Sequence, residues 1–227
     1  MTMRQILVWD LPTRLFHWLL AATFAGAWLT GDSERWRDGH VVLGYTFAGL
    51  IAFRLLWGLV GSRYARFSSF VRGRSAVAKY LRSLLTRTPE HHVGHNPAGG
   101  WAVLAMLALG LATALSGFMT YNDVGGHFME ELHEAVAGAM LALVVVHIAA
   151  VFLSSLLHRE NLVLTMITGF KRGLPPQAIR RPRWIAGTAL VSAVLAFWSA
   201  AIQGALPDIV QGPAKAERSA HHDDDDD

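Results

Sequence analysis

Long apolar runs alternate with short polar segments along most of the chain. A membrane helix needs about 20 apolar residues to cross a hydrocarbon core of about 30 Å, and five runs approach that length. They are Leu15–Thr30, Val41–Val60, Trp101–Tyr121, His133–Leu157 and Trp184–Gln203. The pattern predicts an all-α integral membrane protein. Between the second and third runs, RSAVAKYLRSLLTR has its apolar residues at helical spacing, which predicts a short helix on the membrane surface.

Composition agrees with this fold class and narrows the possible chemistry. The chain has 227 residues, of which 52% are hydrophobic and only 16% are charged, too apolar for an ordinary soluble domain. Cysteine is absent, which excludes disulfides, thiolate metal sites, iron–sulfur clusters and covalently attached haem. Any cofactor must therefore be held by histidine, methionine or oxygen ligands.

Basic residues predict the orientation in the membrane. They concentrate in the connection between the second and third runs, from Arg63 to Arg87, and between the fourth and fifth runs, from Arg159 to Arg183. Basic connections stay on the cytoplasmic side, which places the N-terminus inside and the C-terminus outside. The net charge of +3 is thus explained by topology and lipid contact, without nucleic acid as a partner.

Two histidines lie within the apolar fourth run, where an ionisable side chain predicts a functional site. His133 and His147 are 14 residues apart, which corresponds to about 21 Å and nearly four whole helical turns. They share one face of the predicted helix. His133 begins the run at the outer surface, so His147 lies toward the inner side.

Two further histidines lie at matching depths in other runs. His40 precedes the second run at the outer surface, level with His133, and His17 lies near the inner start of the first run, level with His147. The four imidazoles therefore form an outer pair and an inner pair. Two opposed imidazoles in a helical bundle are what a six-coordinate haem iron requires, one on each face of the macrocycle.

Neighbouring residues fit this interpretation. Gly44 and Gly138, about one turn after His40 and His133, would let a flat macrocycle approach the backbone. Arg54, 14 residues after His40, would be costly in a membrane helix unless it paired with propionates of the inner haem.

Other interpretations of these residues stay open. The glycines are also typical of helix packing, an arginine can extend to the cytoplasmic surface, and membrane histidines can bond to serine or backbone carbonyls. A zinc or copper site is disfavoured, because pairs about 20 Å apart cannot share one metal and each pair lacks further ligands. A transporter with proton-relay histidines is disfavoured by the lack of internal symmetry.

Several motifs, in order, resemble the bacterial cytochrome b561 and nickel-hydrogenase b-type cytochrome superfamily. They are VWDLPTRLFHW, GHVVLGY, FRLLWGLVG, VGHNPAGGW, LHEAVAGAMLALVVVHIAAV and HRENLVLTMITGFKR. The resemblance covers about residues 6–173 and implies a four-helix bundle in the bacterial inner membrane that binds haem b, usually two per chain. It also implies the axial ligands His17, His40, His133 and His147, the set that the depths indicate.

The resemblance implies electron transfer between membrane quinone and a periplasmic cytochrome c, hydrogenase or other oxidoreductase. Iron with both axial positions occupied suits one-electron transfer and not oxygen binding. An alternative is a self-contained superoxide:quinone oxidoreductase, as in a relative of this superfamily. A cationic outer funnel would favour that activity, whereas the outer loops carry acidic residues, namely Asp123, Glu130, Glu131 and Glu134.

Polar residues near the inner haem are the candidates for a quinone site. They are His92, His95, Asn96, His158 and Arg159. Each can alternatively be an interfacial or capping residue, and Asn96 followed by Pro97 has the pattern of a helix start. At the outer face, His127 and the neighbouring glutamates would surround the outer haem where a soluble partner docks.

The chain divides into three parts on this basis. Residues 1–173 form the haem-binding domain, residues 174–206 contain an additional fifth transmembrane helix that packs on the bundle, and residues 207–227 form an acidic periplasmic tail. The tail ends in His221 and His222 beside five aspartates, which is typical of a disordered end. Homo-oligomerisation is compatible with this organisation.

Overall fold

The computed structural model describes residues 2–84, 86 and 90–206. The helices are α1 (Leu11–Thr30), α2 (Arg37–Val60), α3 (Phe67–Phe70), α4 (Arg74–Ser83), α5 (Pro97–Tyr121), α6 (Gly126–His158), α7 (Leu162–Thr168) and α8 (Trp184–Ile202). Short 3-10 turns cover Glu34–Trp36 and Pro175–Gln177, and the strands are β1 (Arg4–Leu7) and β2 (Phe170–Gly173). The predicted tail, including His221 and His222, lies outside the described residues.

Four long helices confirm the prediction of a multi-pass membrane protein. Among the described residues, the segments long and apolar enough to cross a membrane are Glu34–Val60, Pro97–Tyr121, Gly126–His158 and Trp184–Ile202. Helix α1 has 20 residues but is not among these four, so its crossing of the membrane stays a prediction. Helix α6 is about 50 Å long, more than a hydrocarbon core needs, so one of its ends extends into the aqueous phase.

The long helices pack around two apolar clusters. Phe47 and Ile51 of α2, Leu107 of α5 and Met140 of α6 form one buried cluster, with Leu20 and Phe24 of α1 against it. The other cluster joins α1 and α2 to α8, and the indole of Trp198 donates a hydrogen bond of 2.9 Å to Thr46. Helix α8 therefore packs on α1 and α2.

A small antiparallel sheet, which the apolar pattern did not predict, closes one end of the helices. Strands β1 and β2 pair in the register Arg4 with Gly173 and Leu7 with Phe170. The cluster of Ile6, Val8 and Trp9 lies beneath the sheet. We call this end the strand end, and the opposite end, with residues 31–36 and 122–125, the loop end.

A capping residue fixes where the long helix α5 begins at the strand end. The side-chain oxygen of Asn96 accepts a hydrogen bond of 2.7 Å from the backbone N–H of Gly99, and Pro97 is the first residue of α5. This confirms the helix start predicted from the sequence. Helix α4 likewise confirms the short helix predicted before it, and its Tyr80 is 2% exposed.

Candidate functional site

Two histidines face each other at the loop end. The imidazole centroids of His40 on α2 and His133 on α6 are 6.2 Å apart, with the ring planes at 87°. The Nδ1 atom of His40 donates to the carbonyl of Ala27 at 2.9 Å, and that of His133 donates to the carbonyl of Thr113 at 3.0 Å. Because these carbonyls hold the protons on Nδ1, each Nε2 keeps a free lone pair, as in metal-ligating histidines.

A second pair of histidines lies at the strand end. The centroids of His17 on α1 and His147 on α6 are 6.5 Å apart, with the planes at 55°. The edge of the Trp18 ring packs against His17 at 5.0 Å between centroids, and the Nδ1 atom of His17 is buried without a hydrogen-bond partner among the described residues. The structure thus brings together the residues that the sequence placed at equal depth.

The separation within each pair fits two axial ligands of one metal. Metal–imidazole bonds are about 2 Å long, and each coordinating nitrogen lies roughly 1 Å from its ring centroid. Two such ligands on opposite sides of a metal therefore have centroids about 6 Å apart. A Cβ atom added at Gly44 or Gly138 would meet no atom within 4 Å, so the backbone there is open to a flat group. The described residues hold no group of three or more side chains able to share a metal ion.

Comparison with known families decides the class of cofactor. Residues 8–169 match the family model for prokaryotic cytochrome b561. The chain belongs to this family. It is therefore a membrane b-type cytochrome, a haem b protein of electron transport.

Curated relatives from several bacteria are similar to this cytochrome over most of their length. A protein of Rhizobium leguminosarum bv. viciae named probable Ni/Fe-hydrogenase B-type cytochrome subunit is 24% identical, with 73% of this chain and 88% of the relative aligned. A protein of the same name from Cupriavidus necator is 25% identical over 72% of this chain and 86% of its own length. The probable Ni/Fe-hydrogenase 1 B-type cytochrome subunit of Escherichia coli K12 is 21% identical, over 72% and 89%. No solved structure matches the chain significantly.

A buried charged pocket lies beside the strand-end histidines of the cytochrome. Arg54 is 3% exposed and does not extend to the surface, which excludes that alternative. Its guanidinium carbon lies 4.9 Å from the ring centroid of Phe67 and 5.9 Å from that of Phe70. Asp10 is 0% exposed, and its carboxylate accepts hydrogen bonds from the Thr13 N–H at 2.9 Å and the Trp57 indole at 3.1 Å.

His95 lies in the same region, apart from the other residues predicted for a quinone site. Its ring packs between Trp9 and Phe70, with centroid distances of 4.8 and 4.5 Å. Burial, reinforced by the charge of Arg54, lowers the pKa of His95 to about 3. Its Nδ1 atom is buried and has no hydrogen-bond partner in the described part of the chain.

A cluster of titratable side chains joins β2 to the end of α6. Lys171 and Glu160 form a buried ion pair of 3.5 Å, and Glu160 also lies 3.6 Å from His91. The Lys171 ammonium donates a hydrogen bond of 2.7 Å to the carbonyl of His92. Burial lowers the pKa of Lys171, and the negative charge of Glu160 opposes this shift.

The predicted quinone residues divide between this cluster and other positions. His92 lies 3.7 Å from Glu90, and His158 approaches the Glu90 carbonyl at 3.3 Å. Asn96 caps α5, while Arg159 is exposed and ends α6 in the left-handed conformation. The structure therefore brings together His92 and His158, but not all five residues.

The loop end carries an exposed acidic turn at the start of α6. His127 lies 3.3 Å from Glu130 and 3.2 Å from Glu131, and all three side chains are more than half exposed. Two arginines lie on the same end, with Arg35 over the ring of Trp36 and Arg37 over that of Tyr121. Both signs of charge are thus available to a docking protein.

Several of these residues were not predicted from the sequence. Asp10 precedes LPTR and has the position of an N-cap, a signal that was available. Glu160 and Lys171 gave no such signal, because the segment between them contains α7 and a turn, and an ion pair across it follows no single helical or strand period.

The histidines of this cluster predict acid sensitivity of the strand end. Burial lowers the pKa values of His91 and His92, which face Glu90, Glu160, Lys171 and His158. Below the ordinary value of about 6.5 the unfolded segment binds more protons than the folded one, so stability falls as the pH drops. We expect amide protons of β1 and β2 to exchange faster at pH 5 than at pH 7, after correction for intrinsic exchange rates.

A matched variant tests the cause of that sensitivity. In His91→Gln/His92→Gln, which carries no titrating imidazole at either position, the difference in exchange between pH 5 and pH 7 should shrink. Amides in the middle of α5 serve as the internal control. Equal protection of the strands at both pH values in the wild type would contradict the prediction.

Proposed function

We propose that this cytochrome carries electrons across the membrane through two haems b, between the quinone pool and a periplasmic redox partner. The proposal rests on the two pairs of facing histidines, His40 with His133 and His17 with His147, whose ring centroids are 6.2 and 6.5 Å apart. Along α6 the pairs are about 21 Å apart, which places one near each side of a membrane. Haem b, when bound, supplies a one-electron couple at each position.

The chain's own residues orient these ligands. His40 and His133 bind iron through Nε2 at the loop end, because both Nδ1 atoms donate to backbone carbonyls. His17 and His147 bind iron at the strand end. Residues 1–173 make up the haem-binding domain in this proposal, with α1 as a membrane-spanning helix and residues 174–206 as an added one.

The strand end faces the cytoplasm in this proposal, and the loop end faces the periplasm. The basic residues of the strand-end connections support this orientation in a bacterial inner membrane. A quinol gives up two electrons and two protons as it becomes a quinone. His92, Asn96, His158 and Arg159 offer polar contacts for the quinone at the strand end, and the cluster around Glu90 and Glu160 offers groups that exchange protons with the cytoplasm.

The names of the relatives support an oxidoreductase as the partner. Those proteins are named as Ni/Fe-hydrogenase cytochrome subunits, and a hydrogenase or another oxidoreductase, or a cytochrome c, would dock on the loop end. The acidic turn of His127, Glu130 and Glu131 and the nearby Arg35 and Arg37 supply the charges for that contact. These acidic residues give no support to a cationic superoxide funnel.

Electron transfer across a vesicle membrane tests the function directly. The purified cytochrome is placed in liposomes with ferricyanide trapped inside, and a short-chain quinol is added outside. We expect the wild type to bleach the trapped ferricyanide and His40→Ala to abolish bleaching, because one haem is lost from the path. His127→Ala is the control and should behave as the wild type.

Two results would contradict this function. One is a wild-type protein with both haems that does not bleach trapped ferricyanide. The other is His40→Ala that bleaches it at the wild-type rate. Rapid haem reduction by enzymatically generated superoxide would instead support the superoxide:quinone activity.

A glycine on α5 provides a separate test of the loop-end ligand. A Cβ atom at Gly117 would lie 2.8 Å from Cε1 and 3.0 Å from Nδ1 of His133. Gly117→Ala should therefore displace the imidazole, break its bond to Thr113 and reduce haem content from two per chain toward one. Gly49→Ala is the matched control, because a Cβ there meets no atom within 4 Å.

Haem content and the reduced spectrum of each variant measure this effect. The strand-end haem should keep its spectrum in Gly117→Ala. Full haem content with an unchanged loop-end spectrum would contradict the role of His133.

A further inference from the structure

Two buried nitrogen atoms at the strand end have hydrogen-bonding capacity that the described residues do not use. Arg54 Nη1 and His95 Nδ1 are both sealed from solvent and lack a partner in the described ranges. Leaving a buried donor unpaired costs about 1–3 kcal/mol, and more for a charged group. Both side chains pack on Phe70, at 5.9 Å for the guanidinium carbon and 4.5 Å for the imidazole centroid. The guanidinium of Arg54 and the imidazole of His95 therefore lie around one ring.

The neighbouring carboxylate does not meet this demand. Asp10 acts electrostatically on Arg54, but the hydrogen bonds that its carboxylate accepts come from the Thr13 N–H and the Trp57 indole, and Arg54 Nη1 has no hydrogen-bond partner among the described residues. A buried guanidinium needs a hydrogen-bonded anion, and a carboxylate with two oxygens can contact two side chains from different segments of the chain. No side chain in the described part of the chain supplies the acceptor for Arg54 Nη1, which indicates an anionic group from outside it.

Position indicates which anion this is. His95 lies within electrostatic range of Arg54, His17 and His147. The last two residues are the proposed ligands of the strand-end haem, whose propionates are carboxylates. We propose that Arg54 and His95 together bind one propionate of this haem, which assigns His95 to the haem site and not to the quinone site. This inference rests on the proposed function.

The charge of the pocket should set the reduction potential of the strand-end haem. A guanidinium that neutralises the propionate favours the reduced iron, because ferric iron carries one more positive charge. In Arg54→Gln the unneutralised carboxylate should shift the reduction equilibrium of that haem at least tenfold toward the oxidised form, about 59 mV for one electron. His95→Phe, which removes one donor, should shift it in the same direction by a smaller factor.

Conservative variants test the inference even if Arg54→Gln or His95→Phe fails to fold or to bind haem. Arg54→Lys keeps the charge and His95→Asn keeps an N–H donor, so each should shift the equilibrium less than Arg54→Gln or His95→Phe. Arg172→Gln and Arg180→Gln, at exposed arginines of the same end, are the controls and should retain the wild-type potential. The loop-end haem in each variant serves as an internal reference.

Spectroelectrochemical titration of the purified protein gives both potentials. Selective loss of the strand-end haem from Arg54→Gln, with the loop-end haem retained, would also support the inference. It would be overturned if both haems stayed bound and both potentials stayed within twofold of the wild-type equilibrium in Arg54→Gln and His95→Phe. It would equally be overturned if these variants weakened quinol binding without moving the potential, since the pocket would then hold a quinone carbonyl.

Failure of the proposed function would look different. The proposed function would fail if the wild-type protein bound fewer than two haems, or if a variant without His17 or His147 kept both. Either result would show that these histidines do not hold a haem at the strand end. If the variants kept two haems and neither reduction potential changed, the inference about Arg54 and His95 would be refuted while the proposed function would stand.

Discussion

His147→Ala should lower the haem content of the cytochrome from two per chain to one. His147 and His17 face each other at 6.5 Å between ring centroids. A six-coordinate haem that is held through two imidazoles binds much more weakly when one of these ligands is removed. His133→Ala should remove the other haem, since His133 pairs with His40 at 6.2 Å. Quantified haem per polypeptide, with reduced spectra, measures both losses.

Double variants test the pairing itself. In His17→Ala/His147→Ala both substitutions affect the same haem site, so the losses of haem should not add and one haem per chain should remain. In His17→Ala/His40→Ala each substitution affects a different haem site, and no haem should remain. His127→Ala and His158→Ala are controls, because neither residue faces another proposed ligand.

The outcome of the double variants discriminates between arrangements. Loss of both haems from His17→Ala/His147→Ala would contradict the pairing within each end. Full retention of haem in all four single variants would contradict the ligand assignment as a whole.

Asp10→Ala should strongly destabilise the strand end. The substitution removes the cap of α1, worth about 0.5–2 kcal/mol, and leaves the partly buried Trp57 indole unpaired, at about 1–3 kcal/mol. Together these lower the free energy of unfolding by roughly 2–5 kcal/mol. For a chain of this length the expected fall in Tm is roughly 5–20 °C, measured in detergent from loss of haem absorbance.

Two comparisons isolate the causes of that loss. Asp10→Asn keeps one oxygen acceptor and should lose less stability than Asp10→Ala. Asp32→Ala, at an exposed aspartate of the loop end, should leave Tm almost unchanged. An Asp10→Ala protein with the Tm of the wild type would show that the two hydrogen bonds contribute little.

The sequence determined the features that depend on local period and composition. Apolar runs of membrane length predict the long helices, and four of them reappear as helices long and apolar enough to cross a membrane. The 14-residue spacing of His133 and His147 puts both on one face, because 14 residues are nearly four helical turns. Motifs in order indicated the family that residues 8–169 match.

Only the tertiary structure decided which polar groups are buried together. The sheet of β1 and β2 joins four-residue strands that are separated in sequence by α1 to α7, and such short strands carry no periodic signal of their own. Arg54 could not be placed from its position alone, because a long side chain at that depth can reach the surface or stay inside. Its burial against Phe67 and Phe70 depends on the chain after α2 folding back over α2.

The same physical reason separates His95 from His92. Three residues apart in one polar segment, they are equivalent candidates in the sequence, yet His95 packs between Trp9 and Phe70 while His92 lies near Glu90. Trp9 and Phe70 are 86 and 25 positions from His95, and Lys171, which donates to the His92 carbonyl, is 79 positions from His92. Packing of the strand end brings these distant residues together. Local pattern fixes helices and the faces of their histidines, whereas the burial of a polar side chain is fixed by the distant residues that cover it.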